Sequence, residues 1–276
     1  MPVHRESNEY ALAGASAAAE HERLIRQAAW LSAHTERFFR RAGIGRKQRV
    51  LDLGSGVGDV AVIAARLVGP AGEVVGAERD ARSIARADDR IRELGLKQVR
   101  FTQADVSNLQ NLPVEQPFDA AVGRYILLFL RDPVSVLRNV SSVVRPGGVI
   151  AFQEPSWASF LGACANLPLW RASAALMVDT FNRTGANTQM GPDLAAAFVR
   201  AGLPEPETQT DTLIGAERWM PDVLQSLAPQ IRALGLPLAQ LGNLETLYQR
   251  LLDEAAARSV PPPLPEICGA WARKQQ

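Results

Sequence analysis

Residues 50–60 read VLDLGSGVGDV, and this stretch decides the fold. A short apolar segment of the kind found in buried strands leads into three glycines at alternate positions, Gly54, Gly56 and Gly58, and a helical pattern follows. Glycine has no Cβ, so it adopts positive φ values and allows a ligand to touch the main chain. The start of a helix also presents free N–H groups. The stretch therefore predicts a parallel strand, a ligand-binding loop and a helix.

Outward from this loop, strands alternate with helices as far as residue 154, which predicts βαβ units in a parallel sheet with both faces covered. Predicted strands lie at residues 49–53, 73–77, 98–103, 118–123, 149–153, 208–214 and 267–271, with a turn at 145–148. Predicted helices lie at residues 17–42 (one or two helices), 59–68, 81–94, 132–144, 167–183, 193–201, 219–234 and 238–258. The later helices are thus inserted around the sixth strand, at one end of the sheet, where they would cover a pocket.

Composition restricts the class of function. The chain has 276 residues, of which 47% are hydrophobic, so it can bury a sizeable core. Its formal net charge of +1 gives no electrostatic reason to expect nucleic acid or an anionic membrane as a partner. Cys164 and Cys268 are far apart and lack metal-ligand spacing, which favours free thiols in a reducing cytoplasm. With no signal region and no long apolar run, we expect a cytoplasmic protein, monomeric or homodimeric, that acts on a small molecule.

Three acidic residues follow the predicted strands in order. Asp52 lies inside the first strand, where a carboxylate is costly unless it organises the loop or meets a cation. Glu78 ends the second strand, where an acid can bind both hydroxyls of a ribose. Asp105 follows the third strand and is placed to accept a hydrogen bond from an exocyclic amine such as that of adenine. All three positions lie at the carboxyl ends of strands, so we expect them at one site.

Together with Phe118-Asp119 and the Arg-Pro-Gly-Gly turn at 145–148, this ordered set resembles the class I S-adenosylmethionine-dependent methyltransferases. The resemblance covers about residues 45–154 and is strongest to small-molecule enzymes of the quinone-biosynthesis and natural-product type. It implies an α/β fold with a Rossmann-like seven-stranded sheet, mostly parallel with an antiparallel last strand, helices on both faces and helical cap insertions. It also implies S-adenosylmethionine as cofactor, and methyl transfer to O, N or C of an aromatic or polycyclic small molecule.

The resemblance further implies which residues bind the cofactor. These are Asp52, Gly54, Ser55, Gly56, Glu78, Arg79, Asp105, Val106, Gly123 and Arg124. Tyr10 is a further candidate, because it could fold over the cofactor as part of an N-terminal lid. The predicted division of the chain is an N-terminal helical lid (1–45), a cofactor-binding core (46–155), a helical cap insertion (156–206) and the last strands of the core (207–276) with a second helical insertion (216–258).

Two other functions have to be considered. A nicotinamide-dinucleotide oxidoreductase would carry G-x-G-x-x-G with a pyrophosphate at the helix start. Here the spacing is G-x-G-x-G and Asp59 begins the helix, so the pattern predicts repulsion of a pyrophosphate and tolerance of a cationic sulfonium. The other alternative is a cofactor-binding partner protein that has lost catalysis.

The acceptor site is predicted from the N-terminal helices and the segments after the fifth strand. Methyl transfer needs alignment of the reacting atoms and exclusion of water, and it needs a general base only if the nucleophile must lose a proton. Glu154 and His34 are the candidate catalytic residues, and His21 and Gln27 lie on the same predicted helix as His34. The candidate substrate-binding residues are Trp30, Trp157, Trp170, Asn182 and Met190. No metal site is predicted.

Overall fold

The computed structural model describes residues 17–109, 112 and 116–275, with the side chains of residues 17–19 excluded. Its strands form one seven-stranded sheet in the order β3-β2-β1-β4-β5-β7-β6. The strands are β1 (Arg49–Leu53), β2 (Glu73–Glu78), β3 (Val99–Gln103), β4 (Phe118–Arg124), β5 (Val144–Ser156), β6 (Glu207–Thr212) and β7 (Glu266–Arg273). Strand β7 runs antiparallel to β5 and β6, while the pairings among β1–β5 are parallel. The predicted fold class is confirmed.

The helices cover both faces of this sheet. They are α1 (Ala17–Ala42), α2 (Asp59–Val68), α3 (Ala81–Glu93), α4 (Pro133–Val143), α5 (Trp157–Ala163), α6 (Pro168–Arg183), α7 (Met190–Arg200), α8 (Trp219–Ala233) and α9 (Leu247–Ala257). Local sequence sets several boundaries. The Asp80 carboxylate accepts hydrogen bonds from the backbone N–H groups of Arg82 and Ser83 and so caps α3. Asp132 caps α4 in the same way, and Pro133 occupies the first turn, where its missing N–H is harmless.

Two apolar cores lie on the two faces of the sheet. Alternate residues of β1 divide between them: Val50 packs with α2 and the end of α1, whereas Leu51 and Leu53 pack with α4 and the later helices. Helix α1 is fixed at its carboxyl end by Phe38, whose ring meets the Trp271 ring edge-on with centroids 5.4 Å apart. Because both faces are covered, the carboxyl ends of β1–β5 are left as the place where a ligand can enter.

The insertions fall where they were predicted, with differences in detail. Helices α5–α7 lie between β5 and β6, and α8 and α9 lie between β6 and β7. The predicted helix 238–258 is in fact a 3-10 turn (Leu238–Leu241) followed by α9, because Gly242 takes a φ of 64° that ends the first segment. The predicted turn at 145–148 lies within β5, at a register shift in its pairing with β4. Helix α5 was not predicted.

Candidate active site

A cavity of about 770 Å³ opens at the carboxyl ends of the strands. Loops after β1, β2 and β3, together with Arg124 at the end of β4, form what we call the polar half: Gly54, Ser55, Gly56, Val57, Asp59, Glu78, Arg79, Asp80, Ala104, Asp105, Val106, Ser107 and Arg124. Segments after β4 and β5 and helices α6 and α8 form the aromatic half: Ile126, Leu128, Phe129, Leu130, Trp157, Phe181, Ala186, Trp219 and Val223. The sheet order separates the two, because β3, β2 and β1 lie on one side of β4, and β5 lies on the other.

The glycine loop is held by its own main chain. The N–H groups of Gly54 and Ser55 donate to the carbonyl oxygen of Ala77 at distances of 2.9 and 3.1 Å. Gly56 has a φ of 52°, a conformation that side chains rarely tolerate, and a Cβ placed there would meet no protein atom within 4 Å. Since Gly56 lines the cavity and has open space where a side chain would lie, a ligand can approach its main chain closely.

Glu78 is fixed in orientation by backbone amides. Its Oε2 accepts a hydrogen bond from the Gly56 N–H at 2.9 Å, which joins the end of β2 to the loop after β1. Its Oε1 accepts from the N–H groups of Arg79 and Asp80 at 2.8 and 2.9 Å. A carboxylate has about four lone-pair sites, so Oε2 keeps capacity for a ligand hydroxyl. The arrangement suits recognition of a ribose by a preoriented acceptor.

Asp52 is buried, and neither of its carboxylate oxygens has a hydrogen-bond partner within the described residues. Desolvation raises its pKa well above the usual value, Arg124 opposes the shift, and the negative charges of Asp59 and Glu78 add to it. The Ala61 amide also lowers this pKa, but it forms no hydrogen bond of normal geometry. The Arg124 guanidinium donates instead to the Thr35 hydroxyl at 3.0 Å. An unsatisfied carboxylate beside the glycine loop fits a cationic ligand group.

The charge of Asp59 is paired in the structure, which changes its predicted effect on a pyrophosphate. Its carboxylate forms an ion pair with the Arg90 guanidinium at 2.7 Å, and both side chains are largely buried. The predicted repulsion of a pyrophosphate by Asp59 is therefore largely cancelled. The preference for a cation rests instead on the Glu78 carboxylate and on Asp52, whose carboxyl oxygens have no partner among the described residues.

The residues after β3 are where the sequence placed them. Asp105 and Val106 both line the cavity, Val106 as a buried apolar surface. The Asp105 Oδ1 accepts a hydrogen bond from the Ser107 N–H at 2.8 Å, which orients the carboxylate. Arg79 also lines the polar half, and its carbonyl oxygen accepts a hydrogen bond from the Gln103 side chain at 3.0 Å.

Asp52 and Gly123 are the two predicted cofactor residues in the described ranges that do not line the cavity. Gly123 is enclosed within the sheet: a Cβ there would lie 2.6 Å from the Phe152 ring and 2.9 Å from Ile126. Its small size allows this packing, and it contributes to the cavity only by supporting Ile126. Tyr10 lies outside the described residues.

Of the predicted substrate residues, only Trp157 lines the cavity. Trp170 is fully buried in the core, with its indole N–H donating to the Leu251 carbonyl oxygen at 2.9 Å. Met190 is likewise buried in the core. Asn182 is exposed, and its side-chain oxygen accepts a hydrogen bond from the Thr188 hydroxyl at 2.8 Å. Trp30 is partly buried against the same core, so these four residues are corrected to structural positions outside the site.

The two catalytic candidates are also outside the cavity lining. His34 lies farther along α1 than the residues that line the cavity, and there the Arg37 guanidinium contacts its Nδ1 at 3.0 Å and Asp211 is 3.9 Å away. Glu154 is fully buried, and its Oε1 accepts hydrogen bonds from the N–H groups of Ile126 and Leu127 at 3.1 and 2.8 Å. Burial raises the pKa of Glu154 to about 8, and those amides oppose the shift. Glu154 thus supports the loop after β4 instead of reaching a substrate.

Aromatic residues that the sequence analysis missed form much of the aromatic half. The Trp157 ring lies 5.0 Å from the Phe181 ring and 5.5 Å from the Trp219 ring, and Phe129 lies 6.2 Å from Phe181, measured between centroids. These side chains come from four separate segments, so spacing along the chain gave no signal for the group. They make an apolar lining of tilted aromatic rings that is suited to aromatic ligands.

Helix α1 contributes a polar wall that was only partly anticipated. Glu20, Arg23 and Gln27 line the cavity at helical spacing and are buried. The Arg23 guanidinium forms two hydrogen bonds to the Glu20 carboxylate, at 2.7 and 2.9 Å, and one to the Gln27 side chain at 2.8 Å. His21 lies 3.3 Å from the Ser83 hydroxyl and so links α1 to α3 across the opening. The i, i+3, i+7 spacing of polar residues was the available signal.

No group of three or more His, Cys, Asp and Glu side chains in the described ranges is arranged to hold a metal ion. Within the same ranges, no helix combines the length and apolar character that a membrane crossing requires.

Comparison with known proteins agrees with this geometry. A family profile described as a methyltransferase domain matches residues 44–197. A ubiquinone/menaquinone biosynthesis C-methyltransferase of Pseudomonas paraeruginosa is 30% identical over 175 residues, covering 59% of this chain and 67% of that protein. An uncharacterized 37.1 kDa protein in transposon TN4556 of Streptomyces fradiae is 29% identical over 212 residues, covering 76% of this chain but only 58% of the relative. The crystal structure of the [4+2]-cyclase SpnF has the same fold, with a TM-score of 0.53, 18% identity and coverage of 88% of this chain and 82% of that one.

Proposed function

Because the chain belongs to the methyltransferase domain family, we propose that it transfers a methyl group from S-adenosylmethionine to a small organic molecule. The observation that carries the proposal is the unsatisfied Asp52 carboxylate beside the exposed main chain of the glycine loop. A buried carboxylate without a partner is costly, and a ligand cation would remove that cost. S-adenosylmethionine carries two cationic groups in its methionine part.

The remaining polar residues fit the rest of this cofactor. Asp52, Gly54, Ser55 and Gly56 would hold the methionine part, with Arg124 beneath it. Glu78 would accept hydrogen bonds from the ribose through its free acceptor capacity at Oε2. Asp105, Val106 and Arg79 would frame the adenine. All of these residues except Asp52 line the polar half, and this placement supports the assignments.

When bound, S-adenosylmethionine would supply an activated methyl carbon on a cationic sulfur, with S-adenosylhomocysteine as the product. The contribution of this chain is then mainly to align the acceptor with that carbon and to keep water out. The rings of Trp157, Phe181 and Trp219 perform both tasks at the aromatic half. Glu154 and His34 do not line the cavity, so neither is proposed as a general base.

The proposed acceptor is an aromatic or polycyclic molecule, with methylation at oxygen, nitrogen or carbon, and a natural-product pathway is the setting we propose. The aromatic half supports this class, because flat apolar side chains stack on planar ligands. We further propose that the protein is cytoplasmic and acts as a monomer or homodimer without binding nucleic acid. The proposed division of the chain is a lid (1–45), a core (46–155), a cap (156–206) and a final segment (207–276).

Calorimetric titration tests cofactor binding. S-adenosylmethionine is expected to bind and NADH is not, a result that separates a methyltransferase from an oxidoreductase. Glu78→Ala and Asp105→Ala should each weaken S-adenosylmethionine binding at least about tenfold while the protein stays folded, since each removes an oriented acceptor. Unchanged affinity in both variants would defeat the assignment.

A second experiment tests transfer itself. The fold is shared with the [4+2]-cyclase SpnF, so cofactor binding alone would not establish which reaction this chain catalyses. Incubation with methyl-labelled cofactor and a panel of phenols, indoles and quinones should give a labelled product with a mass increase of one methyl group. Tight cofactor binding with no labelled product across the panel would favour the inactive partner protein.

A further inference from the structure

Tyr125 lies at the boundary between the polar and aromatic halves. It follows Arg124 at the end of β4, precedes Ile126 of the aromatic half, and lines the cavity itself. Its φ is 58°, in the left-handed region, although it is not a glycine. Such a conformation is costly for an aromatic residue, and it persists only where the surroundings enforce it.

The structure enforces it through β5. The Tyr125 N–H donates to the Gln153 carbonyl oxygen at 2.9 Å. The next two N–H groups, of Ile126 and Leu127, donate to the Glu154 carboxylate. The backbone amides of residues 125–127 are therefore fixed by two neighbouring residues of β5, Gln153 and Glu154. These hydrogen bonds fix the backbone of Tyr125 and thereby the direction in which its side chain leaves the main chain.

The phenol hydroxyl of Tyr125 belongs to a residue that lines the cavity. It forms no hydrogen bond within the described part of the chain. Burial raises the pKa of the phenol, Arg124 opposes the shift, and Glu154 and Cys268 add to it, so the hydroxyl keeps its proton at neutral pH and can donate it in a hydrogen bond.

The other polar side chains near the aromatic half are already engaged or enclosed. The Thr184 hydroxyl bonds the carbonyl oxygens of Thr180 and Phe181. The Trp157 indole N–H has no partner among the described residues, but its nitrogen has no accessible surface. Among the described residues, Tyr125 therefore offers an uncommitted hydroxyl at the edge of the aromatic half.

We propose that Tyr125 orients the acceptor by donating a hydrogen bond from its hydroxyl to an oxygen or nitrogen atom of a planar acceptor ring. The inference deepens the proposed function, because the site is the same and the acceptor class is made specific: a neutral aromatic ring bearing a polar substituent. Glu154 acts through Tyr125 as a positioning residue, since its carboxylate fixes the loop that carries the phenol.

The test is a cycle of two ligands and two proteins, measured with S-adenosylhomocysteine present so that no turnover occurs. The ligands are 2-naphthol and naphthalene, and the proteins are the unmodified chain and Tyr125→Phe. Ligand-observed NMR titration near neutral pH gives the four affinities. One neutral hydrogen bond predicts that 2-naphthol binds the unmodified chain about threefold to tenfold more tightly than naphthalene. In Tyr125→Phe this preference should vanish, while naphthalene binds as before.

Tyr248→Phe is the matched control, because Tyr248 lies on α9, beneath the Arg218 guanidinium and outside the cavity lining. It should keep the full preference for 2-naphthol. Equal affinities of the two ligands for the unmodified chain, absence of 2-naphthol binding at millimolar concentration, or a preference that survives in Tyr125→Phe would each overturn the inference. S-adenosylmethionine binding is measured separately in both variants, so failure of the cofactor assignment is distinguished from failure of the Tyr125 assignment.

Discussion

Replacement of Glu154 by glutamine should change how the stability of the protein depends on pH. The carboxyl group is fully buried, and its Oε1 accepts two backbone N–H groups while its Oε2 has no partner within the described residues. Burial raises the pKa of Glu154 from 4.5 to about 8. A glutamine oxygen can accept the same two hydrogen bonds, and its NH₂ group takes the place of the protonated oxygen. Glu154→Gln therefore mimics the protonated carboxyl and cannot ionise.

The sign follows from proton linkage. Between 4.5 and about 8 the folded protein keeps the Glu154 proton, whereas the unfolded chain releases it. The folded state then binds more protons, so the free energy of unfolding falls as the pH rises through this window and levels off above it. From about pH 5 to about pH 8, linkage with these pKa values lowers the stability of the unmodified protein by about 3 to 4 kcal/mol through Glu154 alone.

The assay is urea unfolding at a series of pH values, followed by tryptophan fluorescence. The unmodified protein and Glu154→Gln should agree within about 1 kcal/mol near pH 5 and diverge by about 3 to 4 kcal/mol near pH 8, with the variant more stable. The difference between the two curves isolates Glu154 from Asp52, whose raised pKa acts in the same direction in both proteins. Parallel curves across the whole range would refute the reasoning.

Glu154→Leu serves as the second variant in this series. It removes the acceptor for the Ile126 and Leu127 amides, which costs about 1 to 3 kcal/mol for each buried group left without a partner. It should therefore be less stable than Glu154→Gln at every pH.

Further predictions concern the site and its surroundings. Gly56→Ala should weaken S-adenosylmethionine binding at least about tenfold in calorimetry, because the new methyl group enters the ligand space. Gly69→Ala is its control, since that glycine also has positive φ and open space but lies at the end of α2 outside the cavity. Both variants should lose stability in urea unfolding, Gly69→Ala the more because its ψ of −176° belongs to a region that only glycine readily adopts, and only Gly56→Ala should lose affinity. His34→Ala should leave the rate of labelled-product formation unchanged within about twofold. A larger loss would show that His34 takes part in catalysis. Trp170→Phe should lower the free energy of unfolding by about 1 to 3 kcal/mol and leave the affinity for 2-naphthol unchanged. Trp157→Phe should weaken 2-naphthol binding in the same NMR titration. The reverse pattern would contradict the assignment of the aromatic half.

Much of the sheet could be predicted because local sequence signals mark where the strands and the first helices begin and end. The predicted bounds of α1, β1 and α2 match the structure, since glycines, an acidic first turn and continuous apolar runs mark each boundary. Helix α5 was missed because seven residues do not establish a helical period. Residues 238–258 are predicted as one helix because the apolar spacing continues past Gly242. The backbone conformation of Gly242 ends the first helical segment, and apolar spacing does not reveal that conformation.

The two halves of the site differed in how far the sequence could predict them. The polar half depends on residues at fixed offsets from strand ends, so Glu78 and Asp105 could be placed directly. The aromatic half depends on which face of each inserted helix turns inward, and periodicity alone does not give that direction. Trp170 was therefore expected in the site but packs in the core, while Trp219, with a similar local pattern, lines the cavity.

The position of the boundary between the two halves has a consequence for engineering. The loops of the polar half come from residues 54–124, and the aromatic half comes from residues 126–223, so the chain passes from one to the other at Tyr125. A chimaera with its crossover at this residue would inherit donor chemistry from one parent and acceptor preference from another, provided that α1 is kept with the first. Because the order of the strands separates the two halves, the segment that determines acceptor preference could be exchanged between related chains as one continuous piece.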